Sequence, residues 1–184
     1  HKDTIFLSEH TINENPDRLL FVLVHEQMHV MQRKKPELFD KLYTKYYPFK
    51  RGKLEVLDKY QKRIRSNPDT RYIPDNDYVL KTDKGEYYYL CAYYSDKDPK
   101  HLGAVLYGAI KCKYNSEKNT YKTTDDIISI SNIPEFEKFF KLKNNHYHPN
   151  EISAELIAMH YSKHNNESCD ALDNTRIWLN ENVA

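Results

Sequence analysis

The sequence predicts an α+β fold, with helical regions at both ends of a β-rich middle, on three observations. The first is an unbroken apolar hexad, Leu19-Leu20-Phe21-Val22-Leu23-Val24, inside a stretch bounded by Asn15-Pro16 and Pro36. Asn is a good N-cap and Pro a good first helical residue, so a helix is expected from about Pro16 to Arg33. The second is the aromatic middle, where Asp77-Tyr78-Val79-Leu80-Lys81 and the run Glu86 to Tyr94 are β-prone and separated by Asp83-Lys84-Gly85, a hairpin signal. The third is the stretch Pro149 to Lys163, which reads as a well-marked helix.

The remaining elements follow in order. Asp3 to Ser8 reads as a short strand. Glu37 to Tyr46 is expected to be a second helix opened by Pro36, and Lys53 to Arg65 a third, closed by the turn Ser66-Asn67-Pro68-Asp69. A further strand is expected over Ala104 to Tyr114, beyond a turn at Asp96 to Pro99, so Asp77 to Tyr121 reads as an antiparallel meander of about three strands. Pro134 to Phe140 is a short helix, Asn144-Asn145 a break, and Asp170 to Asn180 a last helix. No internal repeat or low-complexity linker divides the chain.

At 184 residues the chain fits one domain, 1–184, with 66–145 a mainly β insertion between the outer helical parts. Hydrophobic content is modest at 39%, but 16 Tyr supply buried area that aliphatic residues do not. The 28 basic and 27 acidic residues nearly balance, which argues against a nucleic-acid surface despite the local run Lys50-Arg51-Gly52-Lys53. No apolar run approaches the length needed to span a bilayer. The sequence starts at His1 with no signal peptide in front, so it reads as a trimmed, processed or excised piece from which export is not legible. Cys91, Cys112 and Cys169 are few, odd in number and without C-x-x-C spacing. They read as buried thiols in a cytoplasmic setting rather than as a disulfide framework or a cysteine zinc site.

The chemistry is concentrated in His25-Glu26-Gln27-Met28-His29, an H-E-x-x-H run at the end of the apolar hexad. Residues four apart lie one helical turn above each other, so His25 and His29 can hold one metal ion between them. Glu26 is then placed to take a proton from the attacking water. A catalytic zinc site needs a third protein ligand. The residues after His29 contain neither a glycine nor another histidine until past Pro36, which removes the extended metzincin pattern. The best source is Asn150-Glu151-Ile152-Ser153-Ala154-Glu155, whose two glutamates share a helix face. One can ligate while the other accepts the free ring N–H of a zinc histidine. Taken by itself this pair could be a solvated helix face, and His148 is the rival ligand.

These two motifs resemble those of the gluzincins, which pair H-E-x-x-H with a glutamate from a second helix in an N-E-x-x-[SA]-[DE] context. The stretch also looks like the N-E-x-x-A-E segment of lethal-factor-like peptidases. The resemblance covers about a dozen residues. It implies a zincin-like fold, with the metal-binding helices packed beside a small antiparallel β-sheet, and Zn²⁺ held by His25, His29 and Glu151. It further implies Glu26 as general base, Glu155 orienting one zinc histidine, and peptide or protein as substrate. Glu151 lies much further along the chain from His29 than in the thermolysin-like branch.

Related peptidases also use a Tyr or His to stabilise the oxyanion. Tyr147 is the first candidate, followed by His146 and His148, though this trio equally reads as a loop with exposed aromatics. His160 and His164 repeat the histidine spacing without an intervening acid and read as a solvated helix end. The block Tyr87 to Tyr94 reads as sheet core, or alternatively as a strand that takes a peptide edge-on. A different class of function is also open: an inactive, zinc-stabilised binding module that recognises a protein partner through the Tyr-rich sheet.

Overall fold

The computed structural model describes residues 4–65, 77–94, 105–142, 147–162 and 168–183. The architecture is mixed α/β, with helices packed against the outside of a closed five-stranded barrel.

Residues 4–8 form no strand; the segment leads into a one-turn helix, α1 (Glu9–Ile12), capped by the Ser8 hydroxyl. The barrel closes on itself and offers no edge here, and Ile5 and Leu7 are only half-buried. Helix α2 (Pro16–Lys34) begins as expected, with Asn15 Oδ1 accepting from Arg18 N at 2.8 Å. Helix α3 (Pro36–Lys41) runs into a π-helical turn, Leu42–Tyr46. An α turn would place successive residues about 100° apart. The wider turn instead accompanies Leu42 and Tyr43, neighbours in sequence, both entering the core.

The expected helix over Lys53 to Arg65 is not formed. Strand β1 (Phe49–Glu55) occupies its first part and only a single turn, α4 (Asp58–Gln61), is helical. Gly52, Leu54 and Val56 alternate inward with exposed Lys53 and Glu55 between them, a period of two that the helix-favouring Lys and Glu side chains conceal.

Strands β2 (Asp77–Lys81), β3 (Tyr87–Tyr94), β4 (Val105–Asn115) and β5 (Thr120–Ser129) continue antiparallel, one strand more than the expected meander. The sheet is not open: β1 pairs antiparallel with β2 and parallel with β5, which closes the barrel. Gly85, at φ 77°, makes the β2–β3 turn, a left-handed conformation that glycine adopts without strain. Beyond the barrel come a 3₁₀ turn (Ile130–Asn132) and helices α5 (Pro134–Phe140), α6 (Pro149–Tyr161) and α7 (Asp170–Asn182), close to their expected limits. The Asn67, Asp96 and Asn144 turns lie outside the described residues.

The described residues form two apolar cores. One fills the barrel with Leu54, Val79, Tyr89, Cys91, Ile110, Cys112 and Tyr121. The other lies between the barrel's outer face and the helices, and it centres on α6. Ile152, Leu156 and Ile157 of α6 are fully buried. Each such side chain stabilises the packing by about 1.5–3 kcal/mol. Small Ser153, Ala154 and Ala158 lie among them on the same helix, and small side chains let α2 come close. No helix among the described residues is long and apolar enough to cross a membrane.

Candidate metal centre

The packing of α2 against α6 brings the two sequence motifs together. His25 and His29 are 8% and 4% exposed, and Glu151, in the first turn of α6, is 5% exposed. His25 Nε2 lies 3.1 Å from His29 Nε2. Glu151 Oε2 completes a triangle at 3.4 Å from His25 Nε2 and 3.5 Å from His29 Nε2. Zinc bonds of about 2.0–2.1 Å at tetrahedral angles require ligand atoms about 3.3 Å apart, so the triangle has the size of a zinc face.

The protonation pattern makes that size chemically meaningful. Gln32 donates its amide nitrogen to Asn150 O at 2.8 Å and to Ser153 Oγ at 3.0 Å. Its oxygen therefore faces His29 Nδ1, at 2.9 Å, and must accept from it. A neutral His29 with its proton on Nδ1 turns a lone pair at Nε2 toward the centre of the triangle. On the other histidine, Nδ1 lies 3.6 Å from Glu155 Oε2, too long for a direct hydrogen bond but favourable for a protonated Nδ1. Phe21, one turn earlier, stacks on the His25 ring at 6.3 Å and supports it from behind.

Burial by itself would raise the Glu151 carboxyl, but His25 and His29 beside it outweigh this and hold it down at about 2. Glu151 is thus an anion at neutral pH, and it sits where the α6 dipole favours negative charge. Two imidazole nitrogens and a carboxylate oxygen converge on one point, an arrangement that a cation stabilises. Among the described residues, His25, His29 and Glu151 form the grouping able to hold a metal ion.

The other expected residues fall as follows. Glu26 is half-buried at the margin of the face that carries His25. Tyr147 is buried, its hydroxyl donating to Glu151 Oε1 at 3.3 Å, and its ring stacks on partly exposed Tyr107 of β4 at 4.9 Å and 3°. The hydroxyl therefore meets the carboxylate oxygen that the triangle does not use. His148 does not join the triangle. Its Nδ1 caps α6 by accepting from Asn150 N at 3.1 Å, and its Nε2 faces Asp77 Oδ1 at 3.8 Å. Burial, aided by His29 and opposed by Glu151, lowers its pKa to about 4, so it is neutral at physiological pH. His146 and His164 lie outside the described residues, and His160 is exposed near the end of α6.

Among the described residues, strand β3 has neighbours on both sides. Strand β4 covers its whole length on one side. On the other side β2 pairs with Tyr87 and Tyr88, and the chain at Arg63–Arg65 bonds to Ala92 and Tyr94. The thiols of Cys91 and Cys112 lie in the barrel core, where burial pushes both up to about 12.

Gln32 and Tyr107 were not singled out from the sequence. Gln32 did carry a signal, because it follows His25 and His29 at helical spacing on the same face, in an otherwise charged helix end. Tyr107 carried none, since its place beside Tyr147 depends on the barrel. Comparison with protein-family models, with curated proteins and with solved structures gives no match.

Proposed function

We propose that this protein is a zinc-dependent peptidase with a gluzincin-like centre in a zincin-like arrangement of helices. The observation that carries the reading is the triangle of His25 Nε2, His29 Nε2 and Glu151 Oε2, with edges of 3.1, 3.4 and 3.5 Å. Zinc held there would supply a Lewis acid toward the scissile carbonyl and the attacking water.

The protein's own groups do the rest. His25, His29 and Glu151 would hold the ion, and Glu155 faces the outer nitrogen of His25. Glu26 accepts the proton of the attacking water and passes it to the leaving amine. Tyr147, whose hydroxyl donates to Glu151 Oε1, would turn that proton to the developing oxyanion. Tyr107, stacked outside Tyr147, gives a peptide substrate an aromatic surface beside this group.

An inactive module with a structural zinc would need a closed set of four protein ligands. The placement of His148 weighs against that reading, because its Nδ1 caps α6 and its Nε2 faces Asp77 instead of the triangle. Cleavage of a peptide library by zinc-loaded protein, with chelator and Glu26→Gln as controls, tests the proposal. Chelator and Glu26→Gln should each abolish cleavage, while Glu26→Gln keeps its zinc. Hydrolysis that survives both at the wild-type rate refutes it.

A further inference from the structure

We propose that Gln32 is a positioning residue with two roles: it sets the tautomer of His29 and it locks the first turn of α6, with Glu151, onto α2. The inference rests on the zinc-centre reading above.

The side chain is 6% exposed and uses both ends of its amide. Its orientation is determined by its partners. Asn150 O is a backbone carbonyl and can only accept, so the group 2.8 Å from it must be the Gln32 NH₂. Reversing the amide would set two acceptors against each other there, at a cost comparable to an unsatisfied buried polar group. The oxygen is consequently fixed toward His29 Nδ1 at 2.9 Å, and the proton is fixed on Nδ1.

Around this amide the donors and acceptors match. Ser153 Oγ donates to Asn150 O at 3.1 Å and so accepts from Gln32 at 3.0 Å and from Tyr43 OH at 3.2 Å. The Gln32 NH₂ thus grips α6 at Asn150 and Ser153, on either side of Glu151 in sequence. One side chain on α2 couples the protonation of one ligand to the location of another.

The two ends of the amide can be separated by substitution. In Gln32→Met neither is present. In Gln32→Glu an acceptor for His29 Nδ1–H is restored, but not the donor to Asn150 and Ser153. Zinc affinity is measured by titrating Zn²⁺ against a chromophoric chelator, and stability by thermal unfolding in excess chelator. Gln32→Met should lose affinity about 10–100-fold. Gln32→Glu, which restores only the acceptor, should recover part of that lost affinity, while its metal-free Tm falls as far as that of Gln32→Met.

A purely structural role would make affinity track Tm in both variants, which overturns the inference, as does wild-type affinity in Gln32→Met. The wild-type protein provides a test that needs no variant: in chelator, the ring ¹⁵N shifts of His29 should report a proton on Nδ1, and a proton on Nε2 overturns the assignment. Wild-type protein that takes up no zinc overturns the metal-centre reading and this inference together. Binding that persists unchanged in Gln32→Met overturns this inference alone.

Discussion

His25 Nε2 and Glu151 Oε2 lie 3.4 Å apart although the whole five-stranded barrel separates them in the chain. The contact exists because α2 and α6 pack side by side, so the candidate site depends on the tertiary fold. Neither helix alone brings together the three atoms that would hold a metal ion.

Zinc should therefore stabilise the folded chain and not its unfolded form. At a free concentration 100 times Kd, the gain is about 2.7 kcal/mol. For a chain of this size that corresponds to a rise in Tm of roughly 5–10 °C. Thermal unfolding with and without Zn²⁺ checks this, and Glu151→Ala should show no zinc-dependent rise.

Tyr147→Phe removes the hydroxyl that meets Glu151 Oε1 while keeping the ring that stacks on Tyr107. If the hydroxyl serves the oxyanion, kcat should fall by about 10²-fold with zinc content unchanged. Steady-state kinetics beside metal analysis decide it; unchanged kcat would limit Tyr147 to orienting Glu151.

Asp77 is the main buried acid outside the metal triangle. Burial, only partly offset by the Tyr78 backbone N–H, raises its pKa to about 7, and its Oδ2 has no hydrogen-bond partner among the described residues. Because the folded form holds the proton more tightly than the unfolded form, Asp77 must cost stability as pH rises from about 4 to about 7. Asp77→Asn should thus raise stability at pH 8 by on the order of 2–4 kcal/mol and do little near pH 4. Chemical denaturation at the two pH values measures the difference, and an equal effect at both would contradict it.

Gly108 sits at a tight point of the barrel wall. A Cβ there would lie 2.5 Å from Ile127 Cγ2, 2.8 Å from Tyr93 Cε1 and 3.0 Å from the Ile128 carbonyl oxygen. Gly108→Ala should destabilise by about 1–3 kcal/mol through overpacking. Urea denaturation reads this loss, and wild-type stability would show that Ile127 and Tyr93 yield freely.

Much of the helical part was legible because it is locally encoded. Asn15-Pro16, Pro134 and Pro149 mark helix starts by capping and fixed φ, and α2, α5 and α6 begin where these residues place them. The pairing of His25 with His29 follows from helical spacing alone. The barrel was less legible. Its closing strand β1 pairs with strands distant in sequence, and its inward Gly52, Leu54 and Val56 are masked by lysines that favour helix as readily as an exposed strand. The role of Gln32 is not legible in the sequence because its two partners, Asn150 and Ser153, arrive from another helix. His148 could be read as a ligand or as a cap, and only its geometry to Asn150 N distinguishes them.

X-ray absorption at the zinc edge, on protein purified and then loaded with one equivalent of Zn²⁺, addresses the metal centre most directly. The account predicts two imidazoles and oxygen ligands at about 2.0–2.1 Å, with the imidazole signal lost in a His25→Ala, His29→Ala double variant. Failure to retain zinc, sulfur ligation, or an unchanged spectrum in that variant would contradict it.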